Sequence, residues 1–196
     1  MLNFAAAIFL LIITPGPGVL SLAGVGAAFG FRSGLRYLTG LFFGTNLVAL
    51  AVVTGLGALV LANPVIRFVL LFVSTCYLLY LAARIALAGS DIAFSPAIRQ
   101  PGVRDGLLLQ AVNPKAYVVN TTLFSGFPIF PAAYGLEIAT KFAIINVIWL
   151  VIHFLWLWAG SAVKRMALPP RTQRVINIGM ALAMLAVVGL AAWSAF

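Results

Sequence analysis

The chain is poor in the groups that aqueous chemistry uses. Of its 196 residues three are acidic, one is histidine and one is cysteine. The lone Cys76 cannot close an intrachain disulfide, and it excludes the exchanging thiol pair that a membrane electron carrier of the thiol-reductase type needs. No nucleophile–base pair, metal motif or phosphate loop stands out, so neither an enzyme nor a cofactor is expected. A membrane enzyme without a recognisable motif stays as an alternative. Charged residues make up only 8% of the chain, too few to cover a water-soluble surface.

What is present is hydrocarbon. Hydrophobic residues reach 64%, and the mean hydropathy is +1.15. A lipid bilayer is then the solvent, and in it every backbone N–H and C=O needs an internal partner. The apolar runs are long and continuous, unlike the short alternating segments of a membrane barrel, so the fold expected is all-α. A bilayer core of ~30 Å takes ~20 apolar residues per helix. Six segments qualify: Leu2–Phe29, Tyr37–Leu61, Val65–Ala88, Gly106–Phe127, Ile138–Val163 and Val175–Phe196. They leave nothing for a soluble domain, and 1–196 reads as one transmembrane domain. The stretch Leu2–Ile13 has no Lys or Arg before it and reads as a retained first helix, not a cleaved signal.

The net charge of +9 does not imply nucleic acid, because no basic face lies on a soluble domain. It encodes topology instead. Arg32, Arg36, Arg84, Arg99, Arg104, Lys164, Arg165, Arg171 and Arg174 flank the first, third and fifth connections, against Arg67 and Lys141 on the other side. The positive-inside rule places those three connections in the cytoplasm and both termini outside a bacterial inner membrane.

The first and fourth helices are interrupted by proline near mid-run, at Thr14-Pro15-Gly16-Pro17 and at Asn113-Pro114-Lys115. Pro15 precedes Asn46 by 31 residues and Pro114 precedes Asn146 by 32. That spacing suggests a duplication: one repeat over about residues 1–90, a connecting loop over about 89–105, and a second repeat over about 106–196. Two units of three helices point opposite ways across the membrane, the inverted repeat of many secondary transporters. Each proline splits its helix, and each second half begins at mid-membrane with its positive dipole end. Lys115 adds a full charge, so the bound group is expected to be an anion. A carboxylate fits, while carbonyls released before the proline, such as those of Leu11 and Ile12, can accept from an ammonium. The pairing describes a zwitterionic amino acid.

Thr14-Pro15-Gly16-Pro17, Tyr77-Leu78-Leu79-Tyr80-Leu81, and Gly106 followed by Asn113-Pro114-Lys115-Ala116 resemble the LysE/RhtB family of amino-acid exporters. The match runs in order through the first four helices and is weak beyond Phe127. The resemblance implies six helices in two inverted triplets and export driven by the proton-motive force. Gly18 departs from the family, which commonly has Asn or Asp directly after Pro-Gly-Pro, so a polar contact is missing and either a different substrate or a more apolar site is expected. Relatives in the wider superfamily move metal ions, and a metal exporter is the alternative. That chemistry needs clustered His, Cys or carboxylate ligands, which one His and one Cys do not supply.

The substrate-binding candidates are therefore Thr14, Pro15, Gly16, Pro17, Gly18, Asn113, Pro114 and Lys115, with Asn46 and Asn146, which serve either substrate or helix–helix contact. Asp91, Asp105 and Glu137 all lie in connections or at helix ends, which disfavours a cationic substrate side chain and favours a neutral amino acid. His153 lies seven residues after Asn146 on the same helix face. It is either a proton-coupling group or a histidine satisfied by a neighbouring carbonyl. Gly26-x-x-x-Gly30 and Gly40-x-x-x-Gly44 are packing spacings. A homo-oligomer stays open.

Overall fold

The computed structural model describes residues 1–14, 16–87 and 100–193. Pro15, Asp91, Pro96 and Arg99 lie outside the described residues, as does most of the expected connecting loop. The order of elements is α1 (Leu2–Ile13), α2 (Pro17–Phe29), α3 (Phe31–Val53), α4 (Leu56–Ala62), α5 (Pro64–Leu87), α6 (Val103–Val112), α7 (Pro114–Gly126), α8 (Tyr134–Arg165) and α9 (Pro170–Trp193). No strand occurs among the described residues. Among them α3, α5 and α8 are each long and apolar enough to cross a membrane, and α1 with α2, bent by 54°, makes a fourth such path.

Local chemistry sets the ends. Proline opens α2, α5, α7 and α9, where its missing N–H costs nothing and its φ is already helical. At the start of α5 the Asn63 side chain accepts from the Val65 and Ile66 N–H groups at 2.9 and 3.2 Å. The second apolar run does not continue to Leu61 as one helix. The Thr54 hydroxyl turns back on the Leu50 carbonyl at 2.9 Å, and Gly55 takes the left-handed φ of +84°, so α3 stops at Val53 and the short α4 follows. At the other end of α3, Gly30 with φ +88° separates it from α2. Lys164 donates to the Ala28 carbonyl at 2.9 Å and Gln173 to that of Ala27 at 3.2 Å, satisfying the last turn of α2.

Packing follows the small residues. A Cβ on Gly40 would collide with the Val103 carbonyl and one on Gly106 with that of Tyr37, so α3 and α6 touch backbone to backbone. A Cβ on Gly160 would collide with the Ala23 carbonyl, and α2 lies on α8 in the same way. Further contacts join α1 to α8, α7 to α3, and α5 to α9. The core between them is apolar: Phe4, Ile8, Leu22, Leu41, Leu109 and Leu157 are almost fully buried. The outer faces are apolar too, with Phe68, Phe72, Leu79 and Leu155 exposed, an arrangement that lipid favours and water does not.

Candidate functional site

Two helix breaks build the site. Helix α1 ends at Ile13, and both the backbone N–H and the hydroxyl of Thr14 reach back to the Leu10 carbonyl. Gly16 is extended (φ −150°, ψ 177°) and heads α2, which has no side-chain cap. Across from it α6 ends at Val112, and Asn113 heads α7. The Asn113 side chain accepts from the Lys115 N–H at 3.1 Å, and its carbonyl accepts from the Ala116 N–H at 3.0 Å. The first turn of α7 is thus satisfied by its own cap, contrary to the expectation of two open helix starts. Of the two starts, that of α2 is the one without a side-chain cap among the described residues.

The two breaks meet. Lys115 Nζ donates to the Thr14 carbonyl at 2.8 Å. A Cβ on Gly16 would stand 3.0 Å from Lys115 Cδ and 3.1 Å from Nζ, so the absence of a side chain there lets the lysine lie across the joint. Among the described residues no carboxylate lies within ion-pair distance of Lys115. The start of α2 is held in turn by α3: the buried Tyr37 hydroxyl donates to Ser21 Oγ at 3.0 Å, and Ser21 donates to the Gly18 carbonyl at 3.0 Å.

A cavity opens at this joint, with about 530 Å³ of empty space including its mouth. Thr14, Gly16, Pro17, Gly18, Asn113, Lys115 and His153 all line it. Leu11, Ile12, Val19, Leu123 and Ile145 give it an apolar wall. Pro114 opens α7 between Asn113 and Lys115. Asn46 and Asn146 do not line the cavity. Each donates its amide to the other at 2.9 Å, which joins α3 to α8.

His153 is buried, and its Nδ1 lies 2.8 Å from the Trp149 carbonyl. A carbonyl oxygen only accepts, so Nδ1 carries the proton and Nε2 of the neutral ring is a bare acceptor. The ring is also stacked on Trp149, with centroids 3.5 Å apart. Nε2 lies 3.7 Å from where a Cβ on Gly18 would stand, and Gln110 Oε1 lies 4.0 Å from the same point.

Sequence reasoning missed Gln110, Asn120 and Thr45, three buried polar side chains that line the cavity. Gln110 donates nothing to Asn113 but accepts from its Nδ2 at 2.9 Å, and its place one turn before Asn113 in an apolar helix was the available signal. It also underrated Lys141. This side chain is more deeply buried than Lys115, and it pairs with Glu137 at 2.7 Å while donating to the Phe124 carbonyl at 2.8 Å. Glu137 further accepts from the Ile129 and Phe130 N–H groups, which ties the α7–α8 connection to α8. Trp149 is buried beside the cavity, whereas Trp158 is exposed. Among the described residues no group of three His, Cys, Asp or Glu could hold a metal ion.

The family model for LysE type translocators matches residues 9–194. A leucine efflux protein of Enterobacter sp. (strain 638) is 25% identical over 206 residues, which span 97% of this chain and 92% of the relative. No solved structure matches. A multi-pass helical membrane protein with its two broken helices joined at a polar cavity, matched over nearly its whole length, belongs to the LysE type translocator family.

Proposed function

We propose that this chain is a secondary transporter that exports a neutral, largely apolar amino acid from the bacterial cytoplasm, driven by the proton-motive force. It works as two inverted three-helix repeats, six spans in all, with both termini outside. The reciprocal packing supports the repeats, since α1 and α2 lie on α8 as α6 and α7 lie on α3, and Asn46 meets Asn146 between them. The name of the leucine efflux relative and the apolar cavity wall support the substrate class.

One observation carries the reading: Lys115, without a carboxylate partner among the described residues, rests on the Thr14 carbonyl beside the start of α2, which has no side-chain cap. A cation in the membrane interior costs ~3 kcal/mol on insertion scales, so its retention calls for an anion to offset it. The substrate carboxylate takes Lys115 from Thr14 and lies at the positive end of α2. His153 is the proton-coupling group in this scheme.

The test is uptake of labelled leucine into inverted vesicles under a proton gradient. Lys115→Met keeps the aliphatic stem and removes the charge, so it should insert normally and lose at least about tenfold in transport, while Lys115→Arg keeps a substantial part. Near-normal uptake by Lys115→Met at equal expression removes Lys115 from the site.

A further inference from the structure

The cavity holds a second polar pole, distinct from the lysine. Gly16 faces Lys115, and two residues later Gly18 faces His153 Nε2 and Gln110 Oε1. Two peptide links of 3.8 Å keep the α-carbons of Gly16 and Gly18 within about 7.6 Å, so a cationic and an acceptor pole sit side by side along one short backbone. Both acceptors are on buried side chains. Gln110 Oε1 already accepts from Asn113 Nδ2 and has a second lone pair to offer. His153 Nε2 has no hydrogen-bond partner among the described residues, and it lies against Gly18, which lines the cavity together with His153.

We propose that His153 Nε2, with Gln110 Oε1 beside it, receives the ammonium group of the substrate, and that the same lone pair takes a proton when the substrate leaves. This rests on the export reading above and deepens it. One lone pair cannot hold a proton and accept from an ammonium together, so the two alternate. On the cytoplasmic side the docking ammonium displaces the proton from Nε2 to water, and on the outer side departure of the substrate frees the lone pair for a proton from outside. One proton enters for each amino acid that leaves. The exchange needs no carboxylate. Among the described residues lining the cavity, Lys115 of α7 is the other titratable group, and α2, α3 and α6 present Gly18, Thr45 and Gln110 there. Gly18 is the residue that leaves room for the ammonium, because any side chain would stand between it and both acceptors.

The experiment compares two activities of reconstituted protein, leucine–leucine exchange without a gradient and proton-driven leucine accumulation. His153→Gln keeps an acceptor near the position of Nε2 and cannot take up a proton. It should still exchange leucine, with a KM raised less than in His153→Leu, and fail to accumulate it. His153→Leu removes the acceptor and should raise the exchange KM about tenfold or more, as for the loss of a hydrogen bond to a charged group. Gly18→Ala adds a methyl at ordinary contact distances, so it folds without strain, and it should raise the exchange KM while accumulation persists. Accumulation by His153→Gln at the wild-type level would overturn the proton assignment. Should His153→Leu fold poorly, a wild-type exchange KM in Gly18→Ala and in Gln110→Leu would overturn the ammonium assignment. Failure of the wild-type protein to exchange leucine or any other amino acid would instead bring down the export reading, and this proposal with it.

Discussion

The Asn46–Asn146 contact makes a quantitative prediction about how α3 and α8 hold together. The two amides form a closed pair with Nδ2–Oδ1 bonds of 2.9 Å in each direction. Removing either side chain breaks both bonds at once, and Asn46→Ala also loses the bond that Asn46 Nδ2 donates to the Phe42 carbonyl at 2.9 Å, so it should cost somewhat more than Asn146→Ala. At a net ~0.5–1.5 kcal/mol per bond, and with membrane side-chain pairs near the low end, each should cost about 1–2 kcal/mol. The double variant should cost little more than either single one, because the first substitution has already broken the pair. The coupling is then about 1–2 kcal/mol, against near zero for independent sites. Asn46→Asp supplies the internal control: its carboxylate still accepts from Asn146 Nδ2 but no longer donates to Oδ1, so it should lose at least one of the two bonds. The assay is denaturant unfolding of the detergent-solubilised protein for the four members of the cycle. Costs that simply add would refute the pair as a structural link between α3 and α8.

Three further predictions test other parts of the fold. Gly106→Ala drives a methyl into the Tyr37 carbonyl and should destabilise by about 1–3 kcal/mol, whereas Gly179→Ala meets nothing within 4 Å and should be neutral or stabilising; the same unfolding assay ranks them. Glu137→Ala leaves Lys141 buried without its counter-ion and should lower the thermal midpoint more than the double variant Glu137→Ala/Lys141→Met, which removes both charges. With Cys76 replaced by alanine, an impermeant thiol reagent added from the periplasmic side should label Arg67→Cys and not Arg171→Cys, both exposed positions; the opposite pattern would invert the topology.

Much of the helix plan was legible because the bilayer reduces the alternatives. A backbone in hydrocarbon must be helical, so long apolar runs translate directly into helices, and the proline interruptions fall where α1 gives way to α2 and α6 to α7. The end of α3 was not legible. Thr54-Gly55 sits inside an unbroken apolar run, and only the hydroxyl back-bond to Leu50 with the left-handed glycine makes it a stop. Hydropathy averages over such a local event. Close approach was partly legible: Gly40 and Gly44 stand at a recognised spacing, but their partner Gly106 and the similar contact of Gly160 lie on other helices, and no spacing along the chain reveals that.

The site divides along the same line between local and non-local causes. That Lys115 opens a half-helix is written beside it in Asn113-Pro114, and so is the cap that Asn113 supplies. That its charge rests on Thr14, 101 residues earlier, depends on the way the two breaks cross. For Asn46 and Asn146 the sequence left substrate and helix–helix contact both open, because their matching places after the two prolines fit either; in the fold each amide bonds the other across α3 and α8. Gln110 and His153 are not closed into a mutual pair of this kind: each lines the cavity with acceptor capacity left over, opposite the charge of Lys115, and a ligand with one anionic and one cationic end is the kind that such an unlike pair of poles can orient.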